Sequence, residues 1–148
     1  MIKTSRSFVL LAIAMPVMLS LSCKKEEGEG GTSTITGKVI VHDFDAGYQQ
    51  VNPSAIYPAP HERVYIIYGA DGAAYDDDVR TSYDGSYQFK YLQKGKYRIF
   101  TYTKDTTGAY NGSINFDAPD VPVFADVEIT SNGSTVTASD LIILDNNY

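Results

Sequence analysis

From Thr34 onward the chain alternates apolar and polar residues in short runs rich in Val, Ile, Tyr, Phe and Thr, with no long stretch at helical spacing. Runs at 34–42, 63–68, 79–83, 86–91, 97–103, 121–130 and 135–144 predict about seven strands. Four Asx-Gly pairs punctuate them: Asp71-Gly72, Asp84-Gly85, Asn111-Gly112 and Asn132-Gly133. Each offers the positive φ that a tight reversal needs, and the second and fourth lie between runs that can pair as hairpins. A period of two then assigns faces. Tyr87 and Phe89 share one side of their run, and Tyr97 and Ile99 share one side of theirs, opposite Lys96 and Arg98. The pattern predicts an all-β protein, a single antiparallel β-sandwich over residues 34–148. A stretch of that length buries roughly two-thirds of its unfolded surface, enough for one sandwich core.

The same alternation exposes a surplus. If Val64 and Ile66 point inward with Tyr97 and Ile99, then Tyr65, Ile67, Phe100 and Tyr102 point outward, more apolar surface than a solvated sheet needs. The expected cover is the segment 106–124, which carries Tyr110, Phe116 and Pro119. The alternative is a docking patch for a protein partner, or an aromatic platform for sugar rings. If the face is covered, a ligand surface is expected instead on the long 43–60 insertion, with Tyr48 and Tyr57. The candidate ligand residues are therefore Tyr48, Tyr57, Tyr65, Phe100 and Tyr102.

The N-terminal end is an address of its own. Lys3 and Arg6 precede an apolar stretch that starts at Phe8 and closes on small Ser residues, so residues 1–22 are expected to be a signal peptide. The stretch is short for a membrane span, and Pro16 disfavours a persistent helix. Ser20-Leu21-Ser22-Cys23 resembles a lipobox, with Ser20 standing where Leu is usual. That resemblance implies a bacterial lipoprotein whose Cys23 carries palmitate-type acyl chains, each buried methylene contributing about 0.8 kcal/mol to the anchor. Residues 23–33 are charged and Gly-rich, the composition of a flexible tether. Within them Lys24, Lys25, Glu26 and Glu27 resemble an export signal to the outer face of the outer membrane. The alternative is a plain spacer on a periplasm-facing protein.

Composition narrows the chemistry. Cys23 is the single Cys of 148 residues, which leaves no disulfide and, once it is acylated, no thiol for catalysis. Loss of Lys3 and Arg6 with the signal leaves 10 of the 12 basic residues against 18 acidic ones, a net charge of −8. A domain of that sign as a whole repels a phosphate backbone and anionic lipid heads, so no nucleic-acid partner is expected.

Four segments carry a family resemblance. They are Ile35-Thr-Gly-Lys-Val, Arg63-Val-Tyr-Ile, Thr81-Ser-Tyr-Asp-Gly-Ser-Tyr-Gln-Phe and Leu92-Gln-Lys-Gly-Lys-Tyr-Arg-Ile. Together they resemble the carboxypeptidase regulatory-like domain, over about 34–103. The resemblance implies a transthyretin-like (prealbumin-like) sandwich, here with the Pro-containing insertion 43–60 in place of a short turn. It implies no peptidase activity, because a catalytic zinc site needs ligands beyond His42 and His61 and no His-x-x-Glu is present. A Ser or Thr nucleophile lacks a base, no phosphate loop appears, and the closing Tyr-Arg-Gly-Ser of the transthyretin-like urate-pathway enzymes is missing. Asp76-Asp77-Asp78 and the Asp43/Asp45 pair lack the spacing of a calcium loop and are expected to be solvated acids. Lys38 with Asp145 or Asn146 invites comparison with isopeptide-forming sandwiches, but Lys38 alternates with Val39 and Val41 and so faces water. The expectation is a lipid-anchored binding or scaffold module at the outer membrane, with no catalysis, cofactor or metal. The alternative is a carbohydrate-binding accessory lipoprotein of a glycan-uptake system.

Overall fold

The computed structural model describes residues 27–44, 51–69, 71–105 and 119–145. Nine strands occur among them: β1 Glu29–Phe44, β2 Val51–Pro58, β3 Arg63–Tyr68, β4 Asp77–Arg80, β5 Ser86–Leu92, β6 Gly95–Lys104, β7 Asp120–Ile129, β8 Thr135–Thr137 and β9 Leu141–Asp145. They form two sheets, mostly antiparallel, as the alternating pattern predicts. One sheet is built around β1. Along one side β1 pairs antiparallel first with β5 and then with β2; along the other it pairs parallel with β8 and then β9. The other sheet runs β4-β3-β6-β7, antiparallel throughout.

Inward positions of the two sheets make one core. Ile35, Val39, Val41, Tyr87, Phe89, Leu92, Leu141 and Ile143 meet Val64, Ile66, Tyr97, Ile99, Ala125, Val127 and Ile129, all buried. Full burial of such a side chain contributes about 1.5–3 kcal/mol, which is why each strand keeps its apolar residues in one phase. The register shows the same rule at work. Thr137 pairs with Thr36 but Leu141 pairs with Val39, so the β8–β9 side carries one extra residue relative to β1. That bulge shifts the alternation from Val136 and Ala138 to Leu141 and Ile143 while keeping all four toward the core. It also splits the run at 135–144 into two strands.

Three further departures have physical causes. Residues 51–58, inside the predicted loop, form β2. Pro53 and Pro58 are tolerated there because β2 is an edge strand with β1 as its pairing partner. The turns at Asp84-Gly85 and Asn132-Gly133 exist, with Gly85 at φ 73° and Gly133 at φ 71°, but they do not close hairpins. Both carry the chain from one sheet to the other, so β4 pairs with β3 rather than β5, and β8 joins β1 rather than β7. The predicted strand at 79–83 lies instead at 77–80. Thr81 ends it by donating its hydroxyl to the Ala59 carbonyl at 2.5 Å and accepting the Glu62 N–H at 2.8 Å.

The Gly-rich stretch that composition assigns to the tether is partly strand. β1 begins at Glu29, and both Glu29 and Ser33 pair with Leu92 around a bulge. Gly31 lies so close to the Leu92 carbonyl that a Cβ there would overlap it. Glycine is required at this position for backbone contact rather than for looseness.

Candidate binding face

The outward side of the four-stranded sheet carries a continuous aromatic array. Register builds it: Tyr65 on β3 lies directly opposite Phe100 on β6, and Phe100 lies directly opposite Phe124 on β7. Cross-strand neighbours of this kind interact through their rings. Tyr65 stacks on Phe100 with centroids 4.9 Å apart and planes 16° apart, and Phe100 meets Phe124 at 5.6 Å. Tyr75, from the segment before β4, covers the next position at 4.8 Å from Tyr65. Tyr102 stands edge-on to Tyr65 at 5.8 Å and to Phe100 at 5.7 Å. The centre is dry and the margin is open. Phe100 and Ile67 are each 7% exposed, whereas Tyr75, Tyr102 and Phe124 are 51%, 46% and 50% exposed.

Charge frames the rings. Arg98, directly opposite Asp126, grips its carboxylate with two hydrogen bonds, from Nε at 2.7 Å and Nη2 at 3.1 Å. The guanidinium carbon lies 5.3 Å from the centre of the Phe124 ring, a cation–π contact. These hydrogen bonds hold the Asp126 carboxyl below the usual carboxylate range and push Arg98 up. Lys104 pairs with Asp120 at 2.8 Å, and Arg63 lies 3.6 Å from Asp78. The face is thus an apolar strip bounded by matched ion pairs.

The candidate residues from the sequence are distributed unevenly. Tyr65, Phe100 and Tyr102 come together as described. Tyr57 pairs with Val41 and packs partly against the core. Tyr48 lies outside the described residues, as do Cys23, Lys24, Lys25 and Glu26. Glu27 is described and lies beside the β5–β6 turn at Gly95. The expected covering segment is outside the description for 106–118. Its last residues pair edge to edge with β6 and extend the sheet, so Phe124 joins the array instead of lying over it. Tyr75 and Phe124 are members that the sequence pattern did not single out, because only the register places them beside Tyr65 and Phe100.

Other chemistry stays dispersed. Among the described residues no group of three or more His, Cys, Asp and Glu is placed to hold a metal ion. Asp76 accepts the Tyr68 N–H at 2.7 Å, Asp77 accepts the Asp78 N–H at 2.8 Å, and Asp78 faces Arg63. His61 is exposed and meets Tyr83 edge-on at 6.3 Å. Lys38 is exposed and pairs with Ser86, while Asp145 pairs with Asp43, five residues further along β1. Between β4 and the first sheet lies a groove of about 560 Å³, lined by Thr36, Lys38, Arg80, Ser86, Thr137 and Asp140 among others. Binding energy, however, concentrates in exposed aromatic anchors, which the outward face of β3, β6 and β7 supplies.

No protein-family model matches the chain, and no curated protein matches it. Solved structures show distant likenesses. A Pseudomonas aeruginosa protein provisionally named carbohydrate binding is similar at 12% identity and a TM-score of 0.43, over 80% of this chain and 91% of its own. An (S)-allantoin synthase is similar at 14% identity and a TM-score of 0.38, over 78% of this chain and 42% of the enzyme. Neither likeness is close enough to bear on ligand or reaction.

Proposed function

We propose that this chain is a lipid-anchored module of the carboxypeptidase regulatory-like kind that binds or scaffolds a protein partner without catalysis, through the outward face of β3, β6 and β7. The observation that carries the reading is the contiguous array of Tyr75, Tyr65, Phe100, Tyr102 and Phe124 with Arg98 at its edge. Tyr and Arg are the residue types in which interface energy concentrates, and three of these rings are half-exposed. Cys23, placed after Ser20-Leu21-Ser22, supports acylation and an outer-membrane address. Lys24-Lys25-Glu26-Glu27 supports export to the cell surface, with a periplasm-facing orientation as the alternative.

A carbohydrate ligand is the second reading. It is favoured by the half-exposed rings of Tyr102 and Phe124, which lie beside the hydrogen-bonding pair Arg98–Asp126. A glycan array and affinity capture, each run with wild type and with the Tyr102→Ala/Phe124→Ala double variant, test both readings. The expected result is a ligand held by wild type and lost by a variant that still folds and melts cooperatively. A ligand retained in full by the variant refutes this face as the binding surface. Cys23→Ser tests the anchor: the protein should leave the membrane fraction or accumulate as precursor, and normal maturation with unchanged fractionation refutes acylation.

A further inference from the structure

We propose that the tip joining β5 to β6 is a contact surface for the anionic headgroups of the bilayer that holds the anchor. The proposal rests on the acylation of Cys23. Its first support is where the chain leaves the sandwich. Gly28 donates its N–H to the Tyr97 hydroxyl at 3.1 Å and accepts the Gln93 N–H at 2.8 Å, and the Gln93 side chain donates to the Glu29 carbonyl at 2.7 Å. The tether therefore starts at the β5–β6 tip. Cys23 is five residues before Gly28, so even fully extended chain places the acylated end within about 18 Å of this tip. β1 leads away from it over 16 residues, which carries its far end roughly 50 Å along the strand.

The second support is the chemistry of the tip. Lys90, Lys94 and Lys96 fall within seven residues, are exposed, and form no ion pair among the described residues. Lys90 follows buried Phe89 and Lys96 precedes buried Tyr97, so the two flank the tip on the outer faces of the two sheets. Tyr91 lies between them, 71% exposed and held at φ 60°, a conformation that an aromatic residue rarely adopts. Counted with the tether sequence, Lys24, Lys25, Lys90, Lys94 and Lys96 stand against Glu26, Glu27, Glu29 and Glu128, the last directly opposite Lys96. Glu27 and Glu29 are close to Tyr97 and Tyr68 respectively, and the balance is a positive excess of one. Lysines near an anionic leaflet are attracted to it, and exposed tyrosine is at home in the headgroup layer.

The test uses the mature acylated protein bound to vesicles. A fluorophore is placed at Tyr91→Cys, or at His61→Cys before the opposite end of β3, and lipids carry a nitroxide in the headgroup. On phosphatidylglycerol vesicles, quenching at position 91 should exceed that at position 61. The excess should be lost on phosphatidylcholine, in the Lys90→Gln/Lys94→Gln/Lys96→Gln variant, and when salt rises from about 0.1 M to about 1 M, which shortens the screening length from about 10 Å to about 3 Å. Equal quenching at the two positions on acylated, vesicle-bound protein overturns the tip contact and leaves the anchor standing. An excess that is the same on both lipids overturns recognition of headgroup charge. An N-terminal peptide without acyl mass refutes the anchor itself, and the tip proposal falls with it.

Discussion

Removing a single oxygen, Tyr97→Phe, tests whether the N-terminal strand belongs to the folded unit. Tyr97 is fully buried, and its hydroxyl accepts from the Gly28 N–H at 3.1 Å and donates to the Gln93 carbonyl at 2.8 Å. The ring keeps its packing in the variant, so no cavity of consequence forms. What is lost is the partner of two backbone groups, and a buried group left unsatisfied costs about 1–3 kcal/mol. Gly28 lies at the start of the paired backbone and regains water by fraying, which brings the expected cost down to about 1–2 kcal/mol. For a domain of this size that lowers Tm by about 4–8 °C. Hydrogen exchange then locates the loss. The Gln93 amide, bonded to the Gly28 carbonyl at 2.8 Å, should exchange on the order of tenfold faster, while core amides of β6 slow or quicken only with global stability. A Tm within about 1 °C of wild type, with Gln93 exchange unchanged, refutes the reasoning, because the hydroxyl would then not be fastening this segment.

Phe89→Ala should cost about 3–5 kcal/mol in urea melts, since Phe89 is 3% exposed between Ile35 and the opposite sheet; a loss below about 1 kcal/mol would contradict its place in the core. On the outer face the same substitution should separate two neighbours: Phe100→Ala costs about 3 kcal/mol, whereas half-exposed Phe124→Ala costs about 1 kcal/mol or less, and equal losses would show that a further layer covers both. Tyr68 is pushed up to about 12 from its ordinary 10.0, by burial first and then by the carboxylates of Glu29, Asp77 and Asp76. A folded pKa above the unfolded one contributes stability that is complete below the unfolded value and disappears as pH rises through the folded value. Denaturant melts should therefore show stability falling between pH 10 and about 12, with a shallower fall in Tyr68→Phe, and identical slopes would refute the shift.

The sandwich was legible because burial on one face imposes a period of two, and residues such as Tyr87 and Phe89, or Tyr97 and Ile99, declare that period within a few positions. The outward set Tyr65, Ile67, Phe100 and Tyr102 followed from the same alternation. Turn chemistry was legible in part: Gly85 and Gly133 adopt positive φ, Gly72 does not, and Gly112 lies outside the described residues. The destination of each turn was not. An Asx-Gly pair reverses the chain equally well within a sheet or between sheets, and the choice depends on which distant strand offers unpaired backbone. β2 was hidden by its prolines, which disfavour a central strand and are harmless at an edge.

By itself, then, the sequence determined the class of fold, the inward and outward sides of most strands, the single cysteine at position 23 and the acidic net charge of −6. These are local or summed properties, set by side-chain period, by count and by spacing from the N-terminus. Tertiary structure alone decided that Tyr75 and Phe124 complete the aromatic face, that Arg98 is clamped to Asp126 over Phe124, and that Gly31 presses on Leu92. Each of those depends on the register between strands far apart in the chain. Register is chosen by the simultaneous fit of the described strands to one core, a cooperative property that no single segment carries.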